Sequence, residues 1–531
     1  MISIKENIKK IVGEIPLAAE VYWLTRKAEH PTGSNYSLRN VKEVLPEAVS
    51  VVAESRKTAP AGKKIFLFSS THKWLEIDLF LSLALAGQGH EVTHAYYPYG
   101  EWNIQSALFD LRKQSVYTRN ILSQVSSVMS TVDLFRSKIP SGEIPREVLD
   151  IVDQVTDYDY MYAYQTEEVN DEDQFYLFRH DRNLHSARTL YSLLQKLKPD
   201  VVIVPNGTIL ELGVAYRISR LLDIPTSTFE YSDQRNVMWL AQNDEIMLQN
   251  TDLVWKKAEG RNLKPSEIKK VESLMTSRKE AALYGKFSRK WQNAPSKGPE
   301  NTKKMLGLDD RPVILLATNV MGDSLTLGRQ TFTKSMADWI IRTIQYFIQT
   351  KGIQLVIRIH PGEARVEHGS ISEMIQQMLP VLPDHIHVIG PLEEVNTYDL
   401  MDLASLGLVY TTTVGLEMAL RGIPVVVAGR THYRNRGFTH DPTSWVNYFK
   451  ELNALMENLQ SFQLTEDQVR LAWKYTYLFF FEYPHPFPWH MAGRAKDFKE
   501  CTMSSVLSKR GLNKYGRTFE LLTFDQKLDQ D

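Results

Sequence analysis

Short apolar runs bounded by polar residues recur along the chain, and between them apolar positions return at helical spacing. Lys63–Ser70 (KKIFLFSS) is such a run, the pattern of a strand buried on both faces of a parallel sheet. Leu75–His90 (LEIDLFLSLALAGQGH) follows at helical spacing, Gly87 and Gly89 stop it, and Glu91–Tyr97 starts the next strand. Strand, helix, glycine stop and strand make a βαβ unit. The alternation resumes with a strand at Asp200–Pro205, a turn at Asn206–Thr208, a helix at Ile209–Ile224 and a strand at Pro225–Glu230. It restarts beyond residue 303, with strands predicted at Pro312–Ala317, Gln354–Ile359, His387–Ile389, Leu406–Tyr410 and Pro424–Ala428.

Other stretches break this rhythm. Residues 101–195 read as mostly helical, with an acidic aromatic stretch at Asp157–Asp173, and are taken as an inserted helical layer that packs or shapes an acceptor groove. Residues 1–60 read as helical with a break at Pro31–Asn35, and 255–292 as charged and helical. NAPSKGPENT (293–302) combines two prolines and a glycine without apolar periodicity, and is read as a linker and hinge. Residues 464–482 and 490–510 read as helical, and the last fifteen or so residues as a polar, frayed tail. The pattern predicts an α/β chain with two Rossmann-like parallel-sheet domains facing a cleft. Its parts are a helical segment 1–60, a first domain 61–292, the linker 293–302, a second domain 303–470, and C-terminal helices with a tail over 471–531. Open α/β sheets bind ligands at the carboxyl ends of their strands, so the loops after the strands are where chemistry is expected.

Composition narrows the class. The 531 residues exceed what one core usually organises, and 43% apolar with 24% charged residues is an ordinary globular balance. Lys plus Arg (62) nearly equals Asp plus Glu (63), which argues against a dedicated nucleic-acid partner. The single cysteine, Cys501, makes neither an internal disulfide nor a thiolate metal cluster, as suits a reducing cytoplasm. The first residues, MISIKENIKKIVGEIPLAAEVYW, form an amphipathic pattern and not a signal peptide, and no window approaches 18 uninterrupted apolar residues. A cytoplasmic protein is expected, with peripheral association at the inner face of the membrane left open. No Asp-x-Asp motif stands between strands, so neither a metal nor a cofactor is predicted, and helix dipoles with basic side chains are expected to neutralise a phosphate.

Four strand exits in the second half carry candidate chemistry. In Tyr410–Ala428 (YTTTVGLEMALRGIPVVVA) a strand ends, Thr411, Thr412 and Thr413 turn, and a helix starts near Val414. Backbone N–H groups and hydroxyls at such a start suit a phosphate, although threonine is also an ordinary N-cap. Glu417, in the first turn, faces ribose hydroxyls or complements the dipole. Arg358-Ile-His360-Pro361-Gly-Glu363-Ala-Arg365 follows the strand QLVIRI; His360 and the arginines can donate to phosphate oxygens, or His360 is a plain loop histidine. Asn319, in ATNVMGDS, sits in a turn after the first strand of this half. Gly429–Phe438 (GRTHYRNRGF) gathers His432, Arg430, Arg434 and Arg436 into a positive loop for an anionic ligand, unless it is a solvated surface loop. In the first half, His72 follows one strand exit and Glu230 and Asp233 another; each is a candidate base or nucleophile, or else a cap or ion-pair partner.

The runs RIHPGE and YTTTVGLEMALRGIPVVVAGRTHYRNRGFT, with LLATNVMGDS and PDVVIVPNG…IPTSTFEYSDQRN upstream, resemble bacterial capsular polysaccharide biosynthesis proteins of the GT-B class over about residues 63–450. The resembled group includes Kdo transferases and is akin to sialyltransferases and glycerophosphate transferases that use cytidine nucleotides. The resemblance implies that His360, Pro361, Thr412 and Thr413 hold the donor phosphate. It departs at Glu230-Tyr-Ser-Asp233, where some relatives have Glu-Asp-Gly, so the acid is less defined than the donor site. The function expected is transfer of a sugar from a nucleotide-activated donor, a CMP-sugar among the choices, to a cell-surface or capsular polysaccharide or related glycan acceptor, free or lipid-linked. A nucleotide-sugar 2-epimerase and a non-catalytic GT-B scaffold are the alternatives.

Overall fold

The computed structural model describes residues 9, 11–26, 36–138, 142–232, 234–280, 294–365, 370–457, 459 and 463–528. Asp233 and the whole Pro31–Asn35 break therefore lie outside the described residues. The strands are β1 (Lys64–Ser69), β2 (Glu91–Tyr96), β3 (Ser130–Asp133), β4 (Val201–Pro205), β5 (Thr226–Tyr231), β6 (Val237–Gln242), β7 (Val313–Ala317), β8 (Gln354–Arg358), β9 (Ile386–Ile389), β10 (Ala404–Val409), β11 (Val425–Val427) and β12 (His485–Pro486).

They form two sheets in two compact units. The first unit comprises Met1–Asp159, Asn170–Met247 and Pro484–Asp531, and the second Tyr160–Val169 with Leu248–Tyr483. The first sheet has the order β12-β6-β5-β4-β1-β2-β3, parallel from β5 to β3, with β6 antiparallel to both of its neighbours, β5 and β12. The second has the order β11-β10-β7-β8-β9 and is parallel throughout. Both are the α/β parallel-sheet architecture predicted from the alternation.

The buried strands form because their sequences are apolar on both faces. β7 (VILLA) and β8 (QLVIR) are buried at every position, and the core around them takes in Trp339, Ile344 and Phe347 of the helix Met336–Ile348. The helix His72–Gly87 is buried on nearly all sides, as its largely apolar content dictates. At its Gly87 the Leu507 side chain packs so close that a β-carbon would come within 2.5 Å of its end and force it to shift.

Three readings change. The stretch 101–195 is not only helical: it contributes β3, which extends the first sheet beside β2. The expected linker 293–302 falls within the second unit, and the division comes at Met247 and Leu248 instead; Pro299–Met305 is a helix, because Pro299 stands at its first position where no N–H is needed. The last fifteen or so residues are not frayed from their start, because the helix runs on to Leu522. Lys509–Leu522 is a helix whose Phe519, Leu521 and Leu522 enter the first unit's core, so residues 484–528 complete that unit.

Candidate functional site

The carboxyl ends of β7, β8 and β10 are neighbours in the second sheet, and hydrogen bonds tie their exit loops together. The His360 backbone N–H donates to Thr318 Oγ1 (3.0 Å), one residue past β7. The Thr411 backbone N–H donates to Asn319 Oδ1 (3.1 Å). Thr318 and Asn319 thus hold the His-Pro turn on one side and the threonine turn on the other. Gly362 N–H donates to His360 Nδ1 (2.9 Å), so the neutral ring carries its proton on Nε2 and acts there as a donor. Pro361 opens the short 3-10 turn Pro361–Arg365.

The threonine turn divides its hydroxyls. Thr412 Oγ1 accepts from Val414 N–H at 3.4 Å, and the Thr412 carbonyl accepts from the Tyr433 hydroxyl at 2.6 Å. Thr411 Oγ1 is buried with no hydrogen-bond partner. Thr413 makes no side-chain cap; its Oγ1 accepts from Arg278 Nη2 at 3.1 Å. The helix that follows, Val414–Ala419, has Gly415 at its second position, where a β-carbon would come within 2.5 Å of the Tyr433 hydroxyl. The tyrosine can brace the turn only because that position is glycine.

Several expected ligand-binding groups are instead committed within the protein. Glu417 pairs with Arg278 Nε at 3.0 Å, both side chains more than nine-tenths buried, so its carboxylate serves that ion pair. Arg358 donates to the Gly390 carbonyl (2.6 Å), and burial presses its pKa down to about 10. Arg434 donates to the carbonyls of Val427, Gly429 and Pro442 and so pins its own loop. His432 is buried, its ring 3.8 Å from that of Phe479 and its Nδ1 2.9 Å from the Tyr475 hydroxyl; burial pushes its pKa down to about 3 and keeps it neutral. Arg436 pairs with Asp252. The loop Gly429–Phe438 is therefore a buttress for the threonine turn more than a positive surface.

Residues not read from the sequence complete the arrangement. Arg278, from the helix Pro265–Lys279, joins Glu417 to Thr413. Glu167 accepts from Met336 and Ala337 N–H (2.8 Å each), so a carboxylate of the protein already occupies the start of the helix Met336–Ile348. Gly322, at φ +67°, lets the loop after β7 lie against the Met161 carbonyl, where a β-carbon would come within 2.0 Å. Glu363 is buried and accepts from Ile371 N–H (2.5 Å), and burial raises its pKa to about 7.

In the first unit, Glu230 ends near the carboxyl edge of β5. Asn206 Nδ2 (3.2 Å) and Tyr231 N–H (3.0 Å) donate to it, while burial raises its pKa above the usual carboxylate range. His72 follows β1 at the same edge, bonded through Nδ1 to the Gly100 carbonyl (3.0 Å); burial lowers its pKa to about 4, so it is neutral. Among the described residues no group of three or more His, Cys, Asp or Glu side chains is placed to hold a metal ion, and no helix is long and apolar enough to cross a membrane.

These features define an α/β protein with a polar site at the strand exits of its second sheet. Residues 277–464 match the family of capsule polysaccharide biosynthesis proteins, which bears out the resemblance read from the His-Pro and threonine motifs over that segment. Curated protein sequences give no significant match. Among solved structures, the chain is similar to the KpsC beta Kdo 2,4 transferase of Thermosulfurimonas dismutans (14% identity, 52% of this chain and 78% of that one, TM-score 0.32). It is similar to the UDP-GlcNAc 2-epimerase of Neisseria meningitidis (14% identity, 77% and 94%, TM-score 0.26) and to the wall teichoic acid polymerase TagF (10% identity, 94% and 99%, TM-score 0.25). At such scores these likenesses carry no weight for chemistry.

Proposed function

We propose that the chain is a glycosyltransferase of capsule or related glycan synthesis, and that its second unit holds a nucleotide-activated sugar at the exits of β7, β8 and β10. The observation that carries this reading is the joint anchoring of His360 and Thr411 on Thr318 and Asn319. It brings the His360 imidazole, with its proton on Nε2, and the unpartnered Thr411 hydroxyl to adjoining strand exits, where both can donate to a phosphate oxygen. The match of residues 277–464 to the capsule family supports the same assignment. Glu230 takes the proton of the acceptor hydroxyl, burial having raised its pKa above the usual carboxylate range and made it a stronger base. A CMP-sugar is the first donor to try, followed by CDP- and UDP-sugars.

Nucleotide binding is tested by thermal shift with CMP, CDP and UDP. A nucleotide at about 100 times its dissociation constant should stabilise the protein by about 2.7 kcal/mol. His360→Ala and Thr411→Val should each weaken that binding at least ten-fold; unchanged affinity in both defeats the donor-site assignment. Acceptor-dependent release of the nucleotide supports transfer, whereas conversion of a sugar nucleotide to its epimer without acceptor replaces this reading with an epimerase.

A further inference from the structure

The first unit contains a separate cavity of about 270 Å³. It lies where the chain leaves β2 and β3: Tyr99 follows the first and Phe135 the second. Phe178, Arg182 and His185 line it from the helix Gln174–Leu197, at spacings of four and three residues that put them on one face. Its volume is just below the roughly 300–1,000 Å³ range of small-molecule sites, room for one sugar-sized ring.

At its wall, two cations meet two anions. Arg179 is fully served: it donates to Asp159, Glu211, Asn183 and the Trp102 carbonyl. Arg182 is not. Its Nε lies 2.8 Å from Glu211, a carboxylate it shares with Arg179, and that contact is not aligned as a hydrogen bond. Its Nη1 reaches the Trp102 carbonyl (3.2 Å), and its Nη2 is buried with no partner, although the side chain is only 10% exposed. The guanidinium carbon lies 3.6 Å from the centre of the Tyr99 ring. A buried charged donor left unmet is costly, and a planar fork is the geometry that an oxyanion satisfies. Burial keeps His185 neutral, so it adds no charge, and Asp181 is exposed at the mouth, where water screens it.

We propose that this cavity is a subsite for an oxyanion, carboxylate or phosphate, carried on a sugar-sized ring, with Arg182 as its anchor. Ile104, Phe135 and Phe178 offer apolar walls to the ring, and Gln105 and Ser106 offer polar groups to its hydroxyls. Resting on the transferase reading, the site holds an acidic unit of the acceptor. The Gly100 carbonyl, one residue beyond Tyr99, fixes His72, so the same loop serves the cavity and a candidate of the reaction.

The test uses the full chain with D-glucuronate, D-glucose 6-phosphate and D-glucose, titrated by calorimetry. Glucuronate or glucose 6-phosphate should bind at least ten-fold more tightly than glucose, and the stronger of the two identifies the anion as carboxylate or phosphate. Arg182→Gln should lose that preference. Ile104→Trp, at a position 56% exposed on the rim, should weaken anion binding at least ten-fold with an unchanged Tm, which keeps the test decisive should Arg182→Gln fold poorly. Equal binding of all three sugars, no saturable binding of either anion, or undiminished binding in Ile104→Trp overturns the subsite. Nucleotide stabilisation measured on the same samples separates the readings: nucleotide binding without sugar-anion binding removes the subsite alone, and the reverse removes the donor site alone.

Discussion

Replacing Arg278 by Met should unbalance the second unit far more than it disturbs nucleotide binding. Arg278 Nε lies 3.0 Å from Glu417, with the two side chains 8% and 6% exposed, so water screens neither charge. Removing one partner of such a buried pair leaves the other charge uncompensated and typically costs about 3–5 kcal/mol. Against a total stability of about 5–15 kcal/mol, that is a large shift in the urea midpoint. Replacing both partners by apolar residues, as in Arg278→Met with Glu417→Leu, removes the orphaned charge and should recover most of the loss. The four proteins of this cycle are compared by urea denaturation, with nucleotide affinity measured in parallel. A cost below about 1 kcal/mol for Arg278→Met would refute the ion-pair assignment. So would a Glu417→Gln variant of native stability that has lost nucleotide affinity ten-fold, because Glu417 would then be a ligand-binding carboxylate.

Three other outcomes follow from the geometry. Glu363 has a folded-state pKa raised to about 7, so its contribution is intact below the ordinary glutamate range and is lost as pH rises through 7; the difference of about 2.5 pH units corresponds to roughly 3 kcal/mol at most, and Glu363→Gln should be more stable relative to wild type at pH 8 than at pH 5 in urea melts, with an equal difference at both pH values refuting the assignment. Glu230→Gln should lower kcat at least 100-fold with nucleotide affinity unchanged, and the wild-type rate should rise with pH through a step above the usual carboxylate range, since the base works deprotonated. His432→Phe keeps the stack on Phe479 and forfeits the bond to Tyr475, so it should cost about 1–2 kcal/mol in denaturant and leave nucleotide affinity within two-fold.

Burial on two faces writes a continuous apolar run, which made strands such as KIFLFS and VILLA legible, although β6 (VMWLAQ) is such a run and is not among the predicted strands. β3 escaped because STVD, at the sheet's edge, is short, half-polar and set among helical patterns. His360 and His432 look alike in sequence, each a histidine in a polar loop after a strand. What separates them is distant: Tyr475 and Phe479 arrive from another helix and close over His432, whereas His360 is held by its own turn and by Thr318. Arg278 gave no local signal, because its partner Glu417 is 139 residues away. The final helix did give one: Leu512, Tyr515, Phe519 and Leu522 recur at helical spacing, hidden among charges that read as a tail.

The first unit is assembled from pieces at both ends of the chain, with Phe519, Leu521 and Leu522 sharing a core with Ile65 and Leu67. On the ribosome its early strands emerge long before the helix that covers them, so the nascent sheet must wait with part of its apolar surface uncovered while the second unit is synthesised. A stop codon before Lys509 would leave that surface permanently bare, and the resulting polypeptide should depend on chaperones or precipitate even though every residue of the candidate donor site is present.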